Sequence, residues 1–159
     1  MPVMKSGAEQ LSMAIALAAT RHAGQFDKGG KPYILHTLKV MHYLKTDDLE
    51  LMAAAVMHDI IEDTDTTYEE LREMGFSERV IAAVKAMTKI KGQTPAEYLE
   101  QVLSNDDAAM IKLADLRHNS DIRRLKGVTD KDVKRIEKYQ KMFTTIKDHL
   151  IAKGHQVRV

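Results

Sequence analysis

Apolar positions recur along this chain with a helical period, and most runs are introduced by a capping signal. Leu11, Ile15 and Ala18 form a stripe behind a Ser6/Glu9 capping box, which predicts a helix reaching about Ala23. Gly24 through Pro32 breaks the pattern with glycines and a proline. A second helix is expected from about Ile34 to Lys45. Asp47 and Glu50 read as the next capping box, opening a helix from Leu49 to about Ile61 that is apolar nearly all round and therefore central. Thr67 with Glu70 opens a helix that Gly75 ends, and Ser77 opens one running through Met87. Thr94-Pro95-Ala96-Glu97 starts another, to about Leu103. Asp107 begins the apolar stretch Ala108 to His118, and Thr129 caps a long last helix, roughly Asp130 to Lys153, closed by Gly154. No strand-like alternation of useful length interrupts the series. The pattern predicts an all-α fold: one compact bundle of about eight helices over residues 1–159, with 155–159 a poorly ordered tail.

Composition narrows the functions this bundle can carry. The chain has 159 residues, 44% of them apolar, enough for one sizeable core. Aromatic residues make up 5% and Trp is absent, which argues against stacking platforms for single-stranded nucleic acid. Lys and Arg number 24 against 23 Asp and Glu, so neither nucleic acid nor a membrane surface is an expected partner. There is no cysteine, so a transition metal must be held by His and carboxylates. The start lacks a signal-peptide pattern, and no run approaches a membrane span, so a cytoplasmic protein is expected.

Chemistry concentrates in His58-Asp59-Ile60-Ile61-Glu62-Asp63-Thr64. On a continuous helix His58 and Glu62 share a face, as do Asp59 and Asp63. Three carboxylates at a helix C-terminus oppose its dipole, and a divalent cation would remove the conflict. His36, on the preceding helix, and Asp115, embedded in Met110-Ile111-Lys112-Leu113-Ala114-Asp115, supply further ligands. Two imidazoles and two carboxylates suit Mn(II), Fe(II), Co(II) or Zn(II). His22, His42, His149 and His155 are read as non-ligands, and His118 as a supporting residue.

These segments resemble the HD-domain phosphohydrolases, whose metal is held by a His … His-Asp … Asp pattern. Within them, the chain is similar to the hydrolase domains of the Rel/SpoT type and to stand-alone small alarmone hydrolases. The likeness runs through Gly24-Gln25, Gly30 to His36, His58 to Thr64, and Lys112 to Asp115 with His118-Asn119. It implies Mn(II) on His36, His58, Asp59 and Asp115, with Glu62 and Asp63 as the catalytic carboxylates. It also implies that Asn119 contacts the sugar and that Arg135 and Tyr139 grip phosphate and base. Lys28, Arg21 and Lys91 are further candidates for substrate contact.

One position departs from the family pattern. Asp27 stands where many relatives carry an Arg that stacks on guanine, so base preference is left open. The implied reaction is hydrolysis of guanosine 3′,5′-bis(diphosphate) or its pentaphosphate form to GDP or GTP and diphosphate. The alternatives are another HD hydrolase substrate, such as an adenosine alarmone or the 2′-phosphate of NADPH, and a non-catalytic nucleotide sensor. Because the chain closes soon after this region, a dedicated degrader without synthetase or regulatory domain is expected. Oligomeric state has no signature in the sequence.

Overall fold

The computed structural model describes residues 3–159. Among them are nine α-helices: α1 (Gly7–Arg21), α2 (Ile34–Tyr43), α3 (Leu49–Val56), α4 (Ile60–Asp63), α5 (Tyr68–Glu73), α6 (Glu78–Met87), α7 (Pro95–Leu103), α8 (Asp106–Asn119) and α9 (Asp130–Ala152). A short 3-10 turn, Ile122–Arg124, precedes α9. The described residues form no strand, only an isolated bridge between Phe26 and Pro32 across the loop before α2.

Local capping explains most of the boundaries. Ser6/Glu9, Thr94/Glu97 and Thr129/Asp132 form reciprocal capping boxes at α1, α7 and α9, and Pro95 sits in the first turn of α7. Two starts differ from the sequence expectation. Asp48, not Asp47, caps α3 by accepting the Leu51 amide, and Asn105 caps α8 by accepting from Ala108. Asp107 is thereby drawn inside the first turn of α8, where its charge favours the helix dipole.

The larger correction concerns the helix expected from Leu49 to Ile61. It splits, because the carbonyl of Ala55 is taken by both the backbone amide of His58 (3.3 Å) and its ring Nδ1 (2.7 Å). Ile60 then bonds to Met57, a tighter pattern, before α4 resumes. The break turns His58 and Asp59 inward at the end of a fully buried run, Ala53 to Met57.

Two apolar clusters share α8. Ile111 and Ala114 pack with Ala14, Val40, Ala54, Met57 and Val84 from α1, α2, the α3 region and α6. Leu113 and Leu116 pack with Tyr98 and Val102 of α7 and with Ile146 and Leu150 of α9. Alanines on α1 and α3 (Ala14, Ala18, Ala53, Ala54) let those two helices pack closely in the first cluster. A helix with apolar partners on both sides leaves Asp115 in the interior, where a carboxylate is costly unless compensated.

Residues 155–159, expected to be loosely held, dock onto the bundle. His155 Nε2 lies 2.8 Å from Asp106, Arg158 donates to the Lys45 carbonyl at 3.3 Å, and Val157 and Val159 pack on the core. No helix among the described residues is long and apolar enough to cross a membrane.

Candidate metal centre and substrate cleft

Helices α2 and α8 and the turn between α3 and α4 bring His36, Asp115 and His58 together, so that one donor atom from each lies within 4.8 Å of the others. His36 Nε2 is 3.1 Å from Asp115 Oδ1. His58 Nε2 is 2.9 Å from Asp59 Oδ2 and 3.4 Å from Asp115 Oδ1. Because His58 Nδ1 donates to the Ala55 carbonyl, Nε2 is a buried nitrogen with no hydrogen-bond partner, facing two carboxylates. A lone pair set against anions needs a cation between them. Burial would depress the His58 pKa, but Asp59 and Asp115 outweigh it and hold it well above the ordinary range. A divalent metal ion satisfies the same atoms, and the mixed N/O donor set fits one.

The surrounding residues orient these donors. His36 Nδ1 lies 2.7 Å from His118 Nδ1, with the two rings stacked. Burial, then Arg124 and His36, depress the His118 pKa to about 4, so it is neutral at pH 7. A neutral His118 accepting from His36 Nδ1–H leaves His36 Nε2 free as a ligand. Asp115 takes hydrogen bonds from Lys112 Nζ (3.0 Å) and Asn119 Nδ2 (2.9 Å). Despite burial, Lys112 and the two histidines hold the Asp115 pKa well below the carboxylate range. Asp59 accepts the Tyr33 hydroxyl, and its pKa is lowered to about 2, its burial outweighed chiefly by His58.

Beside these candidate donors is a cavity of about 200 Å³, lined by Asp59, Glu62, Asp63, Asp115, Asn119 and Tyr139 among others. Glu62 and Asp63 remain open to solvent there. Partial shielding by the cavity wall, helped by the Asp59 charge, raises both pKa values above the ordinary range. The Lys89 amide donates to Glu62 Oε1 at 2.5 Å and fixes that side chain. With α3 and α4 separated by a break, Glu62 and Asp63 reach this cavity through the short α4 turn rather than as one face of a longer helix.

A second cavity, about 310 Å³, shares Tyr33, Asn119 and Tyr139 with the first. Phe26, Asp27, Lys28, Arg124 and Arg135 complete much of its wall. Arg135 is engaged by Asp132 one turn back on α9. Two candidates are not brought to either cavity. Arg21 pairs with Glu70 and donates to Thr66 Oγ1 at 3.2 Å, and Lys91 lies in the exposed turn before α7.

Sequence reasoning missed Tyr33, Lys89, Lys112 and Arg124 as site residues. Lys112 had a readable signal: a lysine three positions before a carboxylate in an otherwise apolar helix. Lys89 had none that separates it from Lys91, since only the path of the loop after α6 decides which one faces the cavity.

Comparison with known proteins gives a consistent picture. Residues 14–152 match the profile of the HD domain. The chain is 38% identical to the guanosine-3′,5′-bis(diphosphate) 3′-pyrophosphohydrolase of Aquifex aeolicus over 124 residues, 70% of this chain and 17% of that protein. It is 35% identical to the guanosine-3′,5′-bis(diphosphate) 3′-pyrophosphohydrolase MESH1 of Danio rerio over 116 residues, 66% of this chain and 64% of the relative. With MESH1 of Mus musculus the identity is 35% over 127 residues, 73% and 70% of the two chains. The match thus spans less than a fifth of the Aquifex protein and a little under two thirds of the Danio one. A solved structure described as a metazoan ortholog of SpoT that hydrolyzes ppGpp superposes with a TM-score of 0.70, covering 91% of this chain and 96% of that one. At 23% identity that likeness is one of fold.

Proposed function

The chain belongs to the HD-domain family, and from that premise we propose that it is a metal-dependent hydrolase of guanosine 3′,5′-bis(diphosphate) and its pentaphosphate form. The observation that carries this is the bare, buried Nε2 of His58 between two carboxylates, beside a cavity that also presents Glu62 and Asp63. His36, His58, Asp59 and Asp115 would hold the ion, Mn(II) in this proposal. When bound, such an ion polarises a phosphoryl oxygen and lowers the barrier to attack on phosphorus.

The protein's own groups do the rest. Glu62 and Asp63, with raised pKa values, are apt acceptors for the proton of an attacking water. Water oxygen bonds to the phosphorus attached to the ribose 3′-oxygen, the bond to that oxygen breaks, and the oxygen regains a proton. The products are GDP or GTP and diphosphate. Asn119, Arg135, Tyr139 and Lys28, which line the adjoining 310 Å³ cavity or its boundary, hold the nucleoside side of the substrate. The substrate is thus a small nucleotide.

The test is turnover by protein stripped of metal and reloaded with Mn(II). It is offered guanosine and adenosine 3′,5′-bis(diphosphates) and NADPH, because Asp27 points to no base preference. Diphosphate release from the guanosine compound, restored by Mn(II) and absent in the stripped protein, is expected. Release of phosphate from NADPH alone would move the assignment to that nucleotide, and no turnover with any of the three would refute it.

A further inference from the structure

A third cavity, about 290 Å³, adjoins the metal cavity and shares Lys89, Tyr98, Lys112 and Tyr139 with it. The three cavities therefore form a series: the one lined by Arg124 and Arg135, the metal cavity, and this one. The two outer members have only Tyr139 in common. Their charges differ sharply. The metal cavity is lined by four carboxylates, Asp59, Glu62, Asp63 and Asp115. The third has two lysines and no acidic residue in its wall.

Both lysines flank one ring. Lys112 Nζ is 5.2 Å and Lys89 Nζ 5.4 Å from the centre of Tyr98. Lys112 is 9% exposed. An ammonium has three protons to donate. Lys112 gives one to Asp115 Oδ2, and its ammonium also faces the Tyr98 ring and the linings of both cavities. Lys89 has no carboxylate within ion-pair distance among the described residues. Balancing Asp115 accounts for part of the Lys112 charge. It does not account for Lys89, or for the absence of any acid from the lining of the third cavity.

We propose that this cavity is a seat for a diphosphate anion, held between Lys89 and Lys112. Resting on the hydrolase reading above, it receives the diphosphate cleaved from the 3′-oxygen. An anion freed in the metal cavity meets the carboxylates of Glu62 and Asp63, which are not among the proposed metal ligands, whereas Lys89 and Lys112 line the passage from that cavity into one with no acid in its wall. The nucleoside 5′-diphosphate, which carries the same chemistry, is assigned instead to the Arg124/Arg135 side.

The experiment is calorimetric titration of Mn(II)-loaded wild type and Lys89→Gln with inorganic diphosphate and, separately, with GDP. Lys89 is exposed, and its backbone amide, which holds Glu62, survives the change. Lys89→Gln is expected to weaken inorganic diphosphate by about tenfold, the worth of one charge-assisted hydrogen bond, and to leave GDP unchanged. Equal diphosphate affinity in the two proteins overturns the proposal. So does equal weakening of both ligands, which would give the lysine to the 5′-diphosphate. A turnover assay run alongside separates the two readings. Active enzyme with unchanged diphosphate binding removes the seat and keeps the hydrolase, whereas absent turnover on every nucleotide removes the hydrolase itself.

Discussion

Asp27 Oδ2 lies 3.0 Å from Arg124 Nη2 and ties the loop before α2 to the turn after α8. Arg124 Nη1 in turn donates to the carbonyl of His118 and to Asn119 Oδ1, at 3.0 and 3.1 Å. Asn119 Nδ2 closes the chain on Asp115. A hydrogen-bonded line thus runs from the glycine-rich loop to a candidate metal ligand. The loop is pressed hard against the turn, since a Cβ built on Gly29 would fall 2.1 Å from the Arg124 carbonyl oxygen. Asp27 therefore serves as an anchor for Arg124, and its side chain is only 9% exposed. Read from sequence alone, it was a missing base contact.

The same pair makes position 27 sensitive to the sign of its charge. Putting an arginine at position 27 sets two guanidinium groups against each other in a tight loop. Asp27→Arg should lower stability, by roughly 1–3 kcal/mol if Arg124 is left without its partner, and raise KM for any nucleotide. The double variant Asp27→Arg with Arg124→Asp should recover most of the stability. Thermal unfolding of the wild type and the two variants checks this, and a fully stable Asp27→Arg protein would break the argument.

The pair also carries a pH signature. Burial alone would raise the Asp27 carboxyl, but the Lys31 amide and Arg124 outweigh it and leave its pKa below the ordinary value. A lowered folded-state pKa gives stability that is present above the unfolded value, about 3.9, and is lost as pH falls through the folded one. The stability gap between wild type and Asp27→Asn should therefore be full at pH 6 and shrink below pH 4. Urea unfolding at pH 6, 4 and 3 measures it. A gap that widens in acid would mean the carboxylate is not the stabilising form.

Around the proposed metal site, the supporting residues should matter nearly as much as the proposed ligands. His118→Ala removes the ring that meets His36 Nδ1, and Tyr33→Phe removes the hydroxyl on Asp59. Each is expected to weaken Mn(II) binding by about 10–100-fold, while Asp115→Ala, His36→Ala or His58→Ala should abolish it. Metal content after dialysis against graded chelator reads this directly. Wild-type retention in both His118→Ala and Tyr33→Phe would show that the ligands need no such orientation.

Arg135 is held by Asp132, one turn back on the same helix, and lines the nucleoside-side cavity. Phosphate charge is present in ground and transition states alike, so Arg135→Ala should raise KM more than it lowers kcat. Asp132→Asn, which releases the guanidinium, should leave KM unchanged or lower it. A kcat effect without a KM effect would place Arg135 in the chemistry instead.

How far the sequence reaches can be seen residue by residue. Ser6, Thr94 and Thr129 announce their helices because a cap is a local matter, decided within four residues. The alanine-rich run before His58 announces a buried helix for the same reason. What is not local is hidden. The split at Met57–Asp59 depends on the His58 ring reaching back to Ala55, in competition with the helical bonding the apolar pattern suggests. The docking of residues 155–159 needs Asp106, 49 positions from His155 in the chain. The Asp27–Arg124 pair spans 97 positions, and no spacing rule reaches that far.

Glu62 offers the sharpest separation of chemistry from structure. Its Oε1 accepts the Lys89 amide, and a glutamine keeps an oxygen there, so Glu62→Gln should preserve the loop after α6. The change removes only the ability to take a proton. An attacking water still needs an acceptor for its proton, and the remaining candidate is Asp63, whose pKa is also raised. Glu62→Gln should therefore retain metal and thermal stability while kcat falls by about 10²–10⁴-fold, and Asp63→Asn should behave in the same direction. If Glu62→Gln loses metal or melts early, the residue is part of the scaffold. If it turns over at the wild-type rate while Asp63→Asn does not, Asp63 is the base and Glu62 only holds the wall of the cavity.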